Sequence, residues 1–157
     1  VGEVYFYHLT RAPLEVTLPT LLEKAVGAGM KCVVRGTEAT DLEALDLAIW
    51  TARDDSFLPH GVAGGDHDAA QPILLTKGAQ ASYPNNANCL MSVHGAEVTA
   101  DEATALPRAC ILFDGNDGAA LQHAREQWRS LTGAGVTAQY WSEESGRWEK
   151  KAEHKPD

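Results

Sequence analysis

The chain is short of cysteine, of positive charge and of long apolar runs. Cys32, Cys89 and Cys110 are the three cysteines in 157 residues, odd in number, far apart and without a Cys-x-x-Cys pair. That excludes a disulfide framework and a zinc ribbon. Each lies in an apolar run, so buried free thiols are expected. Lys and Arg total 13 against 22 Asp and Glu, a net charge of -9. Nucleic-acid modules carry a basic face whose cations displace counterions, so direct DNA binding is disfavoured. The longest apolar run is only a few residues, and Val1-Gly2-Glu3 lacks a basic segment followed by an apolar one. Neither a membrane span nor a signal peptide is expected, and a cytoplasmic location follows.

The motifs of nucleotide and acyl-transfer chemistry are also missing. The turn after the first strand is His8-Leu9-Thr10-Arg11-Ala12-Pro13, with no glycine to let a pyrophosphate approach a helix N-terminus. No glycine-rich stretch leads into Lys-Ser or Lys-Thr, so there is no P-loop. No Gly-x-Ser-x-Gly elbow occurs.

What is present is an ordinary globular composition, 44% hydrophobic and 22% charged, in a length that suits one domain with one core. Val4–Leu9, Lys31–Arg35, Pro72–Thr76, Cys89–Val93, Ala109–Phe113 and Val136–Trp141 read as strands. Leu18, Leu21, Leu22 and Ala25 keep helical spacing, as do Leu42, Leu45 and Ile49 and a stretch from Gly118 to about Leu131. Strands alternating with helices and carrying continuous apolar runs predict an α/β three-layer sandwich, a mostly parallel sheet of Rossmann-like topology. The expected division is a single domain over 1–142 and a polar tail over 143–157 that contains Trp148.

Two clusters invite a chemical reading. His60, Asp66, His67 and Asp68 stand close together in a glycine-rich loop, but their spacing matches no metal-ligand pattern, and no metal site is expected. Asp114 and Asp117 follow a strand, where open α/β sheets place ligands, but turn formation and helix N-capping are their plainer role. A small-molecule or nucleotide-binding enzyme using the strand ends near His8, Arg35 and Asp114 is the alternative reading of the chain.

The late helix carries Leu121, Ala124, Trp128 and Leu131 at spacings of three and four, with Arg125 and Arg129 at its edge. Arg beside an indole suits an acidic peptide ending in a carboxylate, because a guanidinium pairs a carboxylate bidentately while the ring covers a side chain. The other reading is that Trp128 packs on the sheet and both Arg face solvent. Trp50 ends the second helix, and Phe57-Leu58-Pro59-His60 follows it, so an aromatic there closes the core or waits for a partner.

Tyr5-Phe6-Tyr7-His8-Leu9, Ala44-Leu45-Asp46 with Ile49-Trp50, Asp55-Ser56-Phe57-Leu58-Pro59-His60 and Ala124-Arg125-Glu126-Gln127-Trp128-Arg129 together resemble the chi subunit of the bacterial DNA polymerase III holoenzyme. The order and spacing match across nearly the full length. The resemblance implies a Rossmann-like accessory subunit of the clamp-loader complex in DNA replication. It further implies a subunit that is not an enzyme by itself and has no cofactor. Its partners would be the psi subunit and the acidic, Phe-terminated C-terminal tail of single-stranded DNA-binding protein. Carried over by residue, the tail would sit on Trp50, Arg125, Trp128 and Arg129, with the two indoles flanking its terminal Phe, and psi would meet Phe57 and Pro59. Leu121 stands where family members carry Lys, so that electrostatic contact would be lost or moved to Arg108 or His123.

Overall fold

The computed structural model describes residues 2–37, 40–52, 59–63, 68–77, 85–145 and 147–155. Its elements are β1 Glu3–Leu9, α1 Leu14–Gly27, β2 Cys32–Gly36, α2 Leu42–Thr51, β3 Gly61–Val62, β4 Ile73–Lys77, β5 Cys89–Ser92, α3 Ala100–Ala105, β6 Arg108–Asp114, α4 Gly118–Gly133, β7 Thr137–Ser142 and β8 Glu149–His154. Among the described residues the strands form one sheet in the order β3-β4-β2-β5-β6-β1-β7-β8, parallel except for the β7–β8 pair. The architecture is the α/β three-layer sandwich expected from the alternation of elements.

Strand residues alternate between the two faces and build two cores. Val4, Phe6, Ala109, Ile111 and Phe113 meet Ala124 and Leu131 of α4 and Ala103 of α3 on one face. Cys110 and Leu112, with Tyr5 and Tyr7, meet Leu18 and Leu22 of α1 and Leu45 and Ile49 of α2 on the other. All three cysteines are buried and free on that second face. Hydrogen bonding to Cys89, and then burial, raises the thiol pKa of both Cys32 and Cys110, which keeps them protonated.

Helix ends follow local chemistry. Asp41 caps α2 by accepting from the Ala44 amide at 3.1 Å, and Asp117 caps α4 by accepting from Ala119 at 2.9 Å. Thr99 and Glu102 form a reciprocal capping box at α3, a short helix that the apolar periodicity does not announce.

The stretch expected to be a polar tail is different in the structure. Glu149–His154 pairs antiparallel with β7, and Trp148 packs its ring edge-on against Tyr7 at 5.3 Å. The charged sequence Glu-Lys-Lys-Ala-Glu-His suits an outer strand, since charge on a sheet edge deters pairing with other chains. Gly61–Val62 is likewise a short edge strand within what reads as a loop.

Candidate functional site

α4 presents three side chains of different exposure. Trp128 is half-buried, with its ring edge-on to Phe6 of β1 at 5.3 Å and to Tyr140 of β7 at 6.0 Å. Arg125 and Arg129, one turn apart on the same helix, are exposed, and among the described residues neither guanidinium has a hydrogen bond or ion pair. Burial raises the pKa of the Tyr140 hydroxyl, and Arg125 is near enough to oppose that rise. The result is two free cations beside an aromatic floor of Trp128 and Tyr140. The indole packs on the sheet and both Arg face solvent, as the plainer reading of the stripe has it, and this arrangement leaves the guanidinium groups open to a ligand. Tyr140 was not singled out by sequence. Its signal was the alternation of Ala138 and Tyr140 in β7, which puts both on the α4 face.

Leu121 packs against the α4-side core, so its position contributes apolar contact in place of charge. Arg108 does not replace that charge, because its guanidinium lies 5.1 Å over the Tyr5 ring on the other face of the sheet. His123 has Nε2 within 2.9 Å of the Gly95 carbonyl and 3.0 Å of Gln127 Nε2, which fixes its ring.

The expectation that both indoles flank one ligand is corrected by the fold. Trp50 ends α2, which packs with α1 and against β3 and β4, whereas α4 packs against β6 and β7 on the opposite face. Trp50 is 50% exposed and Leu47, three residues earlier, is 62% exposed. The Trp50 ring is edge-on to His60 at 5.2 Å, and His60 Nε2 is 2.8 Å from Asp46 Oδ1. This contact holds the segment that contains exposed Pro59 against α2. Phe57 lies outside the described residues, so Trp50, Leu47 and Pro59 define a second, separate apolar surface. Sequence spacing could not separate the two tryptophans, because helical periodicity does not say which face of the sheet each helix covers.

The residues of the alternative strand-end site are mostly committed to the protein itself. Arg35, 2% exposed, pairs bidentately with Glu102, Nη1 to Oε1 at 2.9 Å and Nη2 to Oε2 at 2.6 Å, and donates to the Glu97 carbonyl. His8 stacks on Phe113 at 5.3 Å. Gly115 passes so close that a Cβ there would fall 1.9 Å from His8 Nε2, which is why the turn after β6 needs glycine. Asp114 Oδ1 accepts from the Asn116 amide at 2.9 Å, the turn-forming role. Among the described residues no group of three or more His, Cys, Asp or Glu is placed to hold a metal ion. Asp66 and His67 lie outside those residues.

One internal contact sets a pH dependence. Glu143 Oε1 accepts from the amides of Thr10, Arg11 and Ala12 at 3.1, 2.9 and 3.0 Å. Desolvation pushes its pKa up, but those three hydrogen bonds and Arg11 outweigh it and leave the pKa lowered. A lowered folded value means stability that is fully present above the unfolded value of about 4.3 and is lost as pH falls through the folded one. Glu143→Gln is expected to lower the urea midpoint at pH 7 and to flatten its decline below about pH 4.3. Parallel declines in both proteins would contradict this assignment.

Residues 1–139 match the family model described as DNA polymerase III chi subunit, HolC. The chain belongs to the chi family. A stretch of 92 residues is 29% identical to the protein named "Probable DNA polymerase III subunit chi" of Rickettsia prowazekii (strain Madrid E), covering 59% of this chain and 54% of that relative. The chain thus spans about half the length of that curated relative. The chi-family match includes α2 and α4, and ends before β8. No helix among the described residues is long and apolar enough to cross a membrane.

Proposed function

We propose that this chi-family chain is a non-catalytic, cytoplasmic adaptor of the DNA polymerase III clamp-loader complex. One surface takes the acidic C-terminal tail of single-stranded DNA-binding protein and the other takes the psi subunit. The tail lies on α4, where Arg125 and Arg129 pair its carboxylates and Trp128, with Tyr140, supports its terminal Phe. Psi meets Phe57 and Pro59, and we now assign to it Trp50 and Leu47 on the face opposite α4.

The observation that carries this reading is the pair of exposed guanidinium groups with no partner among the described residues, beside a half-buried indole. A guanidinium without an internal partner loses no intramolecular bond when it binds a carboxylate, and a rigid aromatic floor costs little side-chain entropy. The net charge of -9 repels an acidic peptide at long range. At an ionic strength near 0.15 M charges farther apart than about 8 Å are largely screened, so the local cations decide the contact.

Fluorescence polarisation with a labelled acidic peptide ending in Pro-Phe tests the tail surface. Saturable binding that weakens as salt is raised is expected. Affinity that stays flat from low to high salt would contradict the guanidinium-centred account.

A further inference from the structure

At the carboxyl ends of β1 and β6 the chain leaves in opposite directions, to α1 on one face and to α4 on the other. This arrangement opens the crevice in which open α/β sheets hold ligands. Here it is a cavity of about 870 Å³, within the roughly 300 to 1,000 Å³ of small-molecule sites. Its apolar walls come from Leu9, Leu14, Ile111 and Phe113. Polar atoms come from the first turns of the two helices and the loops before them.

Three features decide what such a crevice could take. Thr10 Oγ1 in its wall is buried and has no hydrogen-bond partner among the described residues. The amides of Thr10, Arg11 and Ala12, which would otherwise cradle an anion, are already filled by the Glu143 carboxylate. The lining carboxylates are Glu15, Asp114 and Asp117, and the one Arg or Lys in the lining, Arg11, has Nε and Nη2 bound to the Glu144 carbonyl. The place where a phosphate would sit is therefore occupied by the chain's own negative charge. Asp117 uses Oδ1 to cap α4, and Asn116 uses Nδ2 on the Thr10 carbonyl. One carboxylate oxygen and one amide oxygen are left to accept from a ligand.

We propose that this crevice binds an uncharged ligand of nucleoside size, an apolar ring system carrying hydroxyl donors, and rejects the corresponding phosphates. The apolar walls take the ring, and Asp117, Asn116 and Thr10 take the hydroxyl groups. The proposal does not rest on either protein-binding surface, so its failure leaves the adaptor reading untouched.

The test is saturation-transfer NMR of the full chain with adenosine, guanosine, cytidine and uridine and with their 5′-monophosphates. At least one nucleoside is expected to saturate, with its monophosphate at least about tenfold weaker, a difference near 1.4 kcal/mol. Ala120→Phe, which adds a ring from a partly exposed position of α4 lining the crevice, is expected to abolish the signal. Thr10→Val, which keeps the side-chain volume and removes the hydroxyl, is expected to weaken it severalfold. No nucleoside binding up to roughly 5 mM, near the limit of measurable affinity, would overturn the proposal. So would monophosphates binding as tightly as nucleosides, or unchanged binding in both variants.

Discussion

Replacing Arg35 with Ala lowers the unfolding free energy by about 3 to 5 kcal/mol, the usual cost of breaking a buried ion pair from one side. Arg35 is nearly inaccessible and Glu102 mostly so, with side-chain exposures of 3% and 17% and a closest approach of 2.6 Å. Loss of the guanidinium leaves a largely desolvated carboxylate on α3 without its main partner. The Glu97 carbonyl also loses its Arg35 donor. A single domain typically has about 5 to 15 kcal/mol in total, so the variant should melt roughly 10 °C lower. Glu102 has a second role in the capping box with Thr99. Glu102→Gln keeps the cap and removes the charge, so Arg35→Met combined with Glu102→Gln should recover part of the loss. Calorimetry on the three proteins checks this. A drop under about 3 °C for Arg35→Ala would mean that β2 and α3 are not held together by this pair.

On the proposed function, Arg125→Ala is expected to weaken binding of the acidic tail peptide by roughly 10- to 100-fold, which corresponds to losing hydrogen bonds to a charged group at about 1.5 to 3 kcal/mol. Trp50→Ala leaves that affinity unchanged, because α2 covers the other face of the sheet. The contrast matters more than either number. Trp50 lies at the end of α2 and Trp128 within the apolar stripe of α4, and the family resemblance assigns both to one ligand, yet the fold puts the sheet between them. Polarisation titrations of both variants decide it. Loss of tail binding in Trp50→Ala, with Arg125→Ala intact, would reverse the assignment of the two surfaces. Psi binding should respond in the opposite sense.

Much of the fold was legible because the core writes itself into the sequence. β1, β2, β4, β5 and β6 are continuous apolar runs since each is covered on both faces. α4 carries its stripe at three and four because only one side touches the sheet. β8 was illegible for the complementary reason. Its residues bury little, and its place is set by the backbone of β7 and by the ring of Trp148 on Tyr7. α3 is too short for a period and shows only its capping box. At the candidate site, the common helix of Arg125, Arg129 and Trp128 was readable from helical spacing, while the place of Tyr140 beside Trp128 was not. Its position depends on the parallel pairing of β7 with β1, which brings it level with Phe6.

The most direct test of the two-surface account is backbone amide NMR of the uniformly labelled chain during titration with the acidic Pro-Phe peptide. The account predicts shifts concentrated on Arg125 to Arg129 and Tyr140, with Asp46 to Trp50 and His60 to Val62 unmoved. Shifts centred on Trp50 and His60, with α4 silent, would contradict it.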